Sequence, residues 1–109
     1  MKESEARFRP WGQYETIEKR KIIKVNPMEK LSLQYHNHRS ELWKILKGAG
    51  QVTIGDKKYD AKKGDEYLIA PKEVHSIQAG VKGIYFLEIA TGKVYEDDIV
   101  RLEDKYGRE

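Results

Sequence analysis

Apolar and polar residues alternate along this chain with the two-residue period of β-strands. The clearest stretch is residues 30–36, where Leu31, Leu33 and Tyr35 fall on one face and Ser32, Gln34 and His36 on the other. Runs rich in β-branched and aromatic residues surround it, at 13–18, at 21–26 before Pro27, and at 41–46 before Gly48 and Gly50. Gly55-Asp56 separates residues 51–54 from 57–60, a two-residue hairpin signal. Gly64-Asp65 turns the chain into residues 66–70, and Gly80 and Gly83 separate 75–79 from 83–90. About nine short strands with turn signals at near-regular spacing predict an all-β sandwich or barrel. The last segment breaks the period. Ile99, Leu102 and Tyr106 recur at i, i+3 and i+7, which predicts a short C-terminal helix capped by Asp98. No linker, repeat or low-complexity tract interrupts the chain, so one domain is expected over residues 1–109, with residues 1–6 as a polar, disordered tail.

The polar face of residues 30–36 carries the candidate chemistry. Residues two apart on a strand share a face, so Gln34 and His36 aim into one cavity. Glu41 can join them from the next strand and His75 from a later hairpin. An amide oxygen, two imidazoles and a carboxylate suit a divalent transition metal. The chain has no cysteine, so any metal is held by nitrogen and oxygen donors.

Composition narrows the function classes. Charged residues make up 36% of the chain with a net charge of +3, and basic and acidic positions are interleaved. That pattern gives no nucleic-acid-binding stripe and suits an anionic small molecule. No run approaches the roughly 20 apolar residues of a membrane span. Residues 1–7 hold no apolar run to act as a signal peptide, which with the lack of cysteine predicts a cytoplasmic protein.

Two spaced motifs resemble those of the cupin superfamily. In the first, a Gly is followed by His-x-His, then by Glu after four residues, then by Gly after six. Glu41 and Gly48 keep that spacing, His36 holds the second His position, Gln34 replaces the first, and Met28 stands where the motif has Gly. In the second motif a Gly precedes a His by eleven positions, as Gly64 precedes His75, with Pro71 between them and Glu73 near the motif's second Gly. Three blocks narrow the likeness: Arg9-Pro10-Trp11-Gly12, the stretch 31–43, and the stretch 96–108. Together they resemble the type II mannose-6-phosphate isomerase domain, often fused to mannose-1-phosphate guanylyltransferase. The likeness runs from about Arg9 to Arg108. It implies a cupin barrel, the double-stranded β-helix or jelly-roll fold. In place of the His that usually follows the family's Glu stands Leu42.

The resemblance also implies a function. Type I mannose-6-phosphate isomerases use a Gln, a Glu and two His on zinc, and Gln34, His36, Glu41 and His75 reproduce that set. Zinc is the expected ion, although manganese, cobalt, nickel and iron also accept mixed ligation. The expected activity is metal-dependent interconversion of mannose 6-phosphate and fructose 6-phosphate through an enediol. Arg101, His38 and Glu88 are the candidate catalytic residues, and Arg39 and Lys44 the candidates for the substrate phosphate. The alternative is a non-catalytic cupin that binds a sugar phosphate or nucleotide sugar in polysaccharide or GDP-mannose metabolism. An iron oxygenase fits less well, because the C-terminal block matches sugar-phosphate relatives. These 109 residues contain no glycine-rich nucleotide loop, so nucleotide transfer is not expected. The face bearing Leu31, Leu33 and Tyr35 is expected to pack against a second copy in a homodimer.

Overall fold

The computed structural model describes residues 6–17, 19–92 and 98–103. Among these residues the chain is all-β, as expected. Its strands are β1 (Ala6–Arg9), β2 (Gly12–Ile17), β3 (Arg20–Val25), β4 (Leu33–Tyr35), β5 (Arg39–Ile54), β6 (Lys57–Lys62), β7 (Glu66–Ile69), β8 (His75–Gly92) and β9 (Val100–Glu103). No helix among the described residues is long and apolar enough to cross a membrane.

The long strands β5 and β8 form the spine. They pair antiparallel from Arg39↔Gly92 to Ile54↔His75. The first half of β5 also takes β7 as a neighbour, and its second half takes β6. The second half of β8 takes β3, while its first residue takes β4. Two curled layers result, β1-β2-β3-β8-β5-β7 and β9-β4-β8-β5-β6, which share β5 and β8. Their inner faces meet in one core. Trp43, Ile45, Ile69, Ile84 and Phe86 come from the first layer, and Val52, Ala61, Ile77 and Ala79 from the second.

The expected turns at Gly48-Gly50 and Gly80-Gly83 are bends inside continuous strands instead. The register slips between Ile45 and Lys47 and again between Gly48 and Gly50. Because of that slip, buried apolar positions on β5 are odd-numbered up to Ile45 and even-numbered at Val52. On β8 they are odd-numbered up to Ala79 and even-numbered from Ile84. Without the slips, each strand would turn one half of its apolar set to solvent. Only glycine fits the bend. A Cβ on Gly48 (φ +82) would lie 2.2 Å from the carbonyl oxygen of Gly83, and one on Gly50 would lie 2.2 Å from that of Gln78.

Several expectations change here. The C-terminal helix is not formed over residues 100–103, which are β9, and Tyr106 lies outside the described residues. β9 lies beside β4 through Leu33↔Glu103, Gln34↔Arg101 and Tyr35↔Val100. Three apolar residues at helical spacing supply little helix stability in so short a segment, and the edge of β4 offers the backbone a ladder. Of the expected tail, Ala6 already belongs to β1, which pairs with β2; residues 1–5 lie outside the described residues. The face expected to meet a second copy is partly consumed by this chain's own core, because Leu31 is buried in it.

Met28, where the cupin motif has Gly, adopts φ 63, and Lys72 adopts φ 68. Lys72 is the residue before Glu73, which stands near the second motif's Gly. The motif glycines mark a backbone requirement that persists here under side chains. Met28 is 54% exposed, so its side chain loses little packing when removed. Met28→Gly is expected to stabilise the protein by about 0.5–1 kcal/mol in urea unfolding, the relief of left-handed strain outweighing the added freedom of the unfolded chain.

Candidate metal centre

Three elements bring the expected ligands together. β5 presents Arg39, Glu41 and Trp43 inward at alternate positions. β8 opens with His75 on the inner face, and the segment after β4 carries His36. His36, Glu41 and His75 are 4%, 1% and 2% exposed. One potential ligand atom of each lies within 4.8 Å of the others, a triad with the chemistry and spacing of a metal site.

Hydrogen bonds orient each member. His75 Nδ1 lies 2.9 Å from the carbonyl oxygen of Glu73, so it carries the proton, and Nε2 faces Glu41 Oε1 at 3.8 Å. A carbonyl behind the imidazole is a common support for a metal-binding histidine. Trp43 packs edge-on against His75 and donates its indole N–H to Glu41 Oε1 at 3.0 Å. The rings of His36 and His75 stack with centroids 5.1 Å apart. Arg39 closes the cluster: Nε donates to Glu41 Oε2 at 3.0 Å, and Nη2 lies 2.7 Å from His36 Nε2.

The electrostatics suit cation binding. Burial pushes His36 down to about 4, with Glu41 opposing and Arg39 assisting, so its imidazole is neutral at neutral pH. Burial likewise lowers His75 against the pull of Glu41. Burial alone would raise Glu41, but the facing imidazoles, Arg39 and the Trp43 N–H outweigh it and keep the carboxylate ionised. Two neutral imidazoles and a carboxylate form a donor set ready for a divalent ion.

Gln34 lies one strand away. It pairs directly with His75 on β8 and with Arg101 on β9, so Arg101, Gln34 and His75 share one face in a row across three strands. Its Nε2 donates to Ser32 Oγ at 2.9 Å, so the amide oxygen takes no part in that bond. Arg101 is half-buried, and among the described residues its buried Nε meets no acceptor. His38 is exposed, with its backbone N–H donated to Asp98 Oδ2 at 2.9 Å. Lys44 does not join the site. It lies on the outer face of β5, half exposed and 3.9 Å from Glu66, because inward and outward positions alternate through Glu41, Trp43 and Ile45.

Glu88 is buried beside Glu41. Burial, with Glu41 next, pushes its carboxyl up to about 8. A buried carboxyl raised in this way holds its proton at neutral pH and can donate a hydrogen bond to a charged neighbour.

Two supports escaped the sequence reading. Trp43 was legible from its place two residues beyond Glu41 on one strand. Asp98 does cap backbone N–H groups, but those of Asn37 and His38, at 2.8 and 2.9 Å, rather than those of a helix of its own. Burial would raise its carboxyl, yet these two donors hold it below the usual range. No sequence signal links residues so far apart in the chain.

The model of the family described as "Mannose-6-phosphate isomerase C-terminal" matches residues 1–104. Mannose-1-phosphate guanylyltransferase RfbM of Salmonella typhimurium is 37% identical over 107 residues, which cover 92% of this chain and 22% of that protein. Alginate biosynthesis protein AlgA of Pseudomonas aeruginosa is 38% identical over 108 residues, covering 93% of this chain and 22% of that protein. The chain therefore spans about a fifth of the length of these curated relatives. Among solved structures, oxalate decarboxylase of Bacillus subtilis matches with a TM-score of 0.79 at 23% identity, over 91% of this chain and 30% of that one. The capsular polysaccharide assembling protein CapF of Staphylococcus aureus matches with a TM-score of 0.81 at 14% identity, over 95% and 34%. At such identities the structures speak for the fold alone, which is the expected cupin barrel.

These relatives overturn one expectation. The family resemblance implies a mannose-6-phosphate isomerase, yet relatives that match nearly all of the chain are named mannose-1-phosphate guanylyltransferases.

Glu88 also makes stability depend on pH. The folded carboxyl keeps its proton up to about pH 8, whereas an unperturbed one loses it near 4.5. Between those values the folded state binds more protons, so stability falls as pH rises. In chelator-treated protein, Glu88→Gln is expected to flatten this fall and to raise the melting temperature at pH 8 more than at pH 5, as thermal unfolding at both values would show.

Proposed function

The chain belongs to the mannose-6-phosphate isomerase C-terminal family, and from that membership we propose that it is a non-catalytic cupin module that binds a sugar phosphate or nucleotide sugar of GDP-mannose metabolism. The observation that carries this reading is the pair of guanidinium groups beside the histidine cluster. Arg39 touches the triad itself, and Arg101 stands in the row with Gln34 and His75. The buried Nε of Arg101, unpartnered among the described residues, calls for an acceptor. A phosphate oxygen supplies one, and guanidinium groups match phosphate geometry. The names of the relatives support the same chemistry, since two of them carry mannose-1-phosphate guanylyltransferase and alginate biosynthesis in their names.

In this reading His36, Glu41 and His75 hold a divalent ion, with the amide oxygen of Gln34 as a fourth donor. Zinc is the proposed ion, because neutral imidazoles with oxygen donors suit it. The ion supplies a fixed positive charge for a ligand oxygen. This chain's residues do the rest. Trp43 and the Glu73 carbonyl fix the donors, and Arg101 orients the anionic group.

Two measurements test the proposal. His36→Ala and Glu41→Ala are each expected to abolish stoichiometric metal by elemental analysis while the β-sheet circular dichroism persists; full metal in both would remove the centre. Calorimetry of the metal-loaded protein with GDP-mannose and mannose 1-phosphate should show saturable binding. Arg101→Ala should weaken that binding by about 1.5–3 kcal/mol, the scale of a hydrogen bond to a charged group. No binding of either compound would overturn the reading.

A further inference from the structure

Arg39 occupies atoms that a metal would need. A neutral imidazole has one ring nitrogen with a lone pair, whereas a guanidinium only donates and keeps its charge in proteins. The Nη2 of Arg39 lies 2.7 Å from His36 Nε2, so Nε2 is the acceptor and the His36 proton sits on Nδ1, 3.6 Å from Glu41 Oε2. An ion taken at Nε2 must evict the guanidinium. An ion taken at Nδ1 would move the proton to Nε2, where it would meet an N–H of Arg39. Ligation by either nitrogen therefore breaks this contact. The same guanidinium donates to Glu41 Oε2 at 3.0 Å, on the second ligand of the triad.

We propose that Arg39 is the resident cation of this centre, displaced by an incoming divalent ion and thereby released to grip an anionic group of the ligand. The charge balance favours such an exchange, since Glu41 is buried and ionised and needs a cation beside it in either state. Arg39 is the first residue of β5, and its direct partner on β8 is Gly92, which has no side chain to stand in its way. Once released, the guanidinium remains tethered within reach of the ion, with its donors open to a phosphate. Metal and anion then bind cooperatively through one side chain. The anion-gripping half of this inference rests on the proposed ligand class; the exchange of Arg39 for the ion does not.

The test uses the full chain, Zn²⁺ and inorganic phosphate. Chelator competition should show that Arg39→Met binds Zn²⁺ about 10- to 100-fold tighter than the native protein, the scale of losing a charge-assisted contact. Arg39→Lys separates occupancy from charge, because it keeps the charge but cannot span His36 and Glu41 together. An affinity near that of Arg39→Met supports displacement, and one equal to native overturns it. In unmodified, nitrogen-labelled protein, Zn²⁺ should shift the Arg39 Nε–H resonance and switch the His36 nitrogen signals from hydrogen-bonded to metal-bound. An Arg39 resonance unmoved by a stoichiometric ion, or no Zn²⁺ binding in any of the three proteins, overturns the proposal. Phosphate should bind the Zn²⁺-loaded native protein at least 10-fold tighter than the metal-free form, with this gain lost in Arg39→Met; equal gains in both would overturn the anion half. Exchange of Arg39 without any binding of mannose derivatives would keep this inference and sink the ligand class instead.

Discussion

A single buried negative charge organises this molecule. Glu41 is almost fully enclosed between two layers of sheet, where an isolated carboxylate would be strongly disfavoured. Everything around it answers that charge: the Trp43 indole on one oxygen, the Arg39 guanidinium on the other, two imidazoles across the gap, and a protonated Glu88 beside it. Arg39, Glu41 and Trp43 come from alternate positions of one strand, so the strand's own pleat delivers the charge with two of its partners.

The barrel exists to hold the rest against that strand. His75 and Ile54 pair at one end of the β5–β8 ladder, and Glu41 pairs with Ala90 near the other. They approach each other because both strands bend at close-packed glycines and continue into a second layer. The same bend keeps apolar residues of each strand inward on both sides of it. A side chain at Gly48 or Gly50 would disturb the core and the distance between Glu41 and His75 together. Stability and site geometry share one constraint here.

The ligand set alone did not decide the function. Gln34, His36, Glu41 and His75 are the residue types that the family resemblance ties to a sugar-phosphate isomerase, yet relatives of the chain are named for guanylyl transfer and alginate biosynthesis. A metal-type centre flanked by guanidiniums serves recognition as readily as turnover.

The sequence by itself determined the strand content, the inward face of β4 and the positions of His36, Glu41 and His75, because a two-residue period and fixed spacing are local properties. It misplaced residues 98–103, since three apolar residues at helical spacing say nothing about an open strand edge elsewhere. It read Gly48 and Gly83 as strand ends, because a glycine signals a bend without saying whether the ladder continues past it. Only the tertiary structure decided that Asp98 would cap a loop about sixty residues away, and that Glu88 would keep its proton. Those outcomes depend on which strands lie side by side and how much water they exclude, and neither is a property of any local stretch of chain.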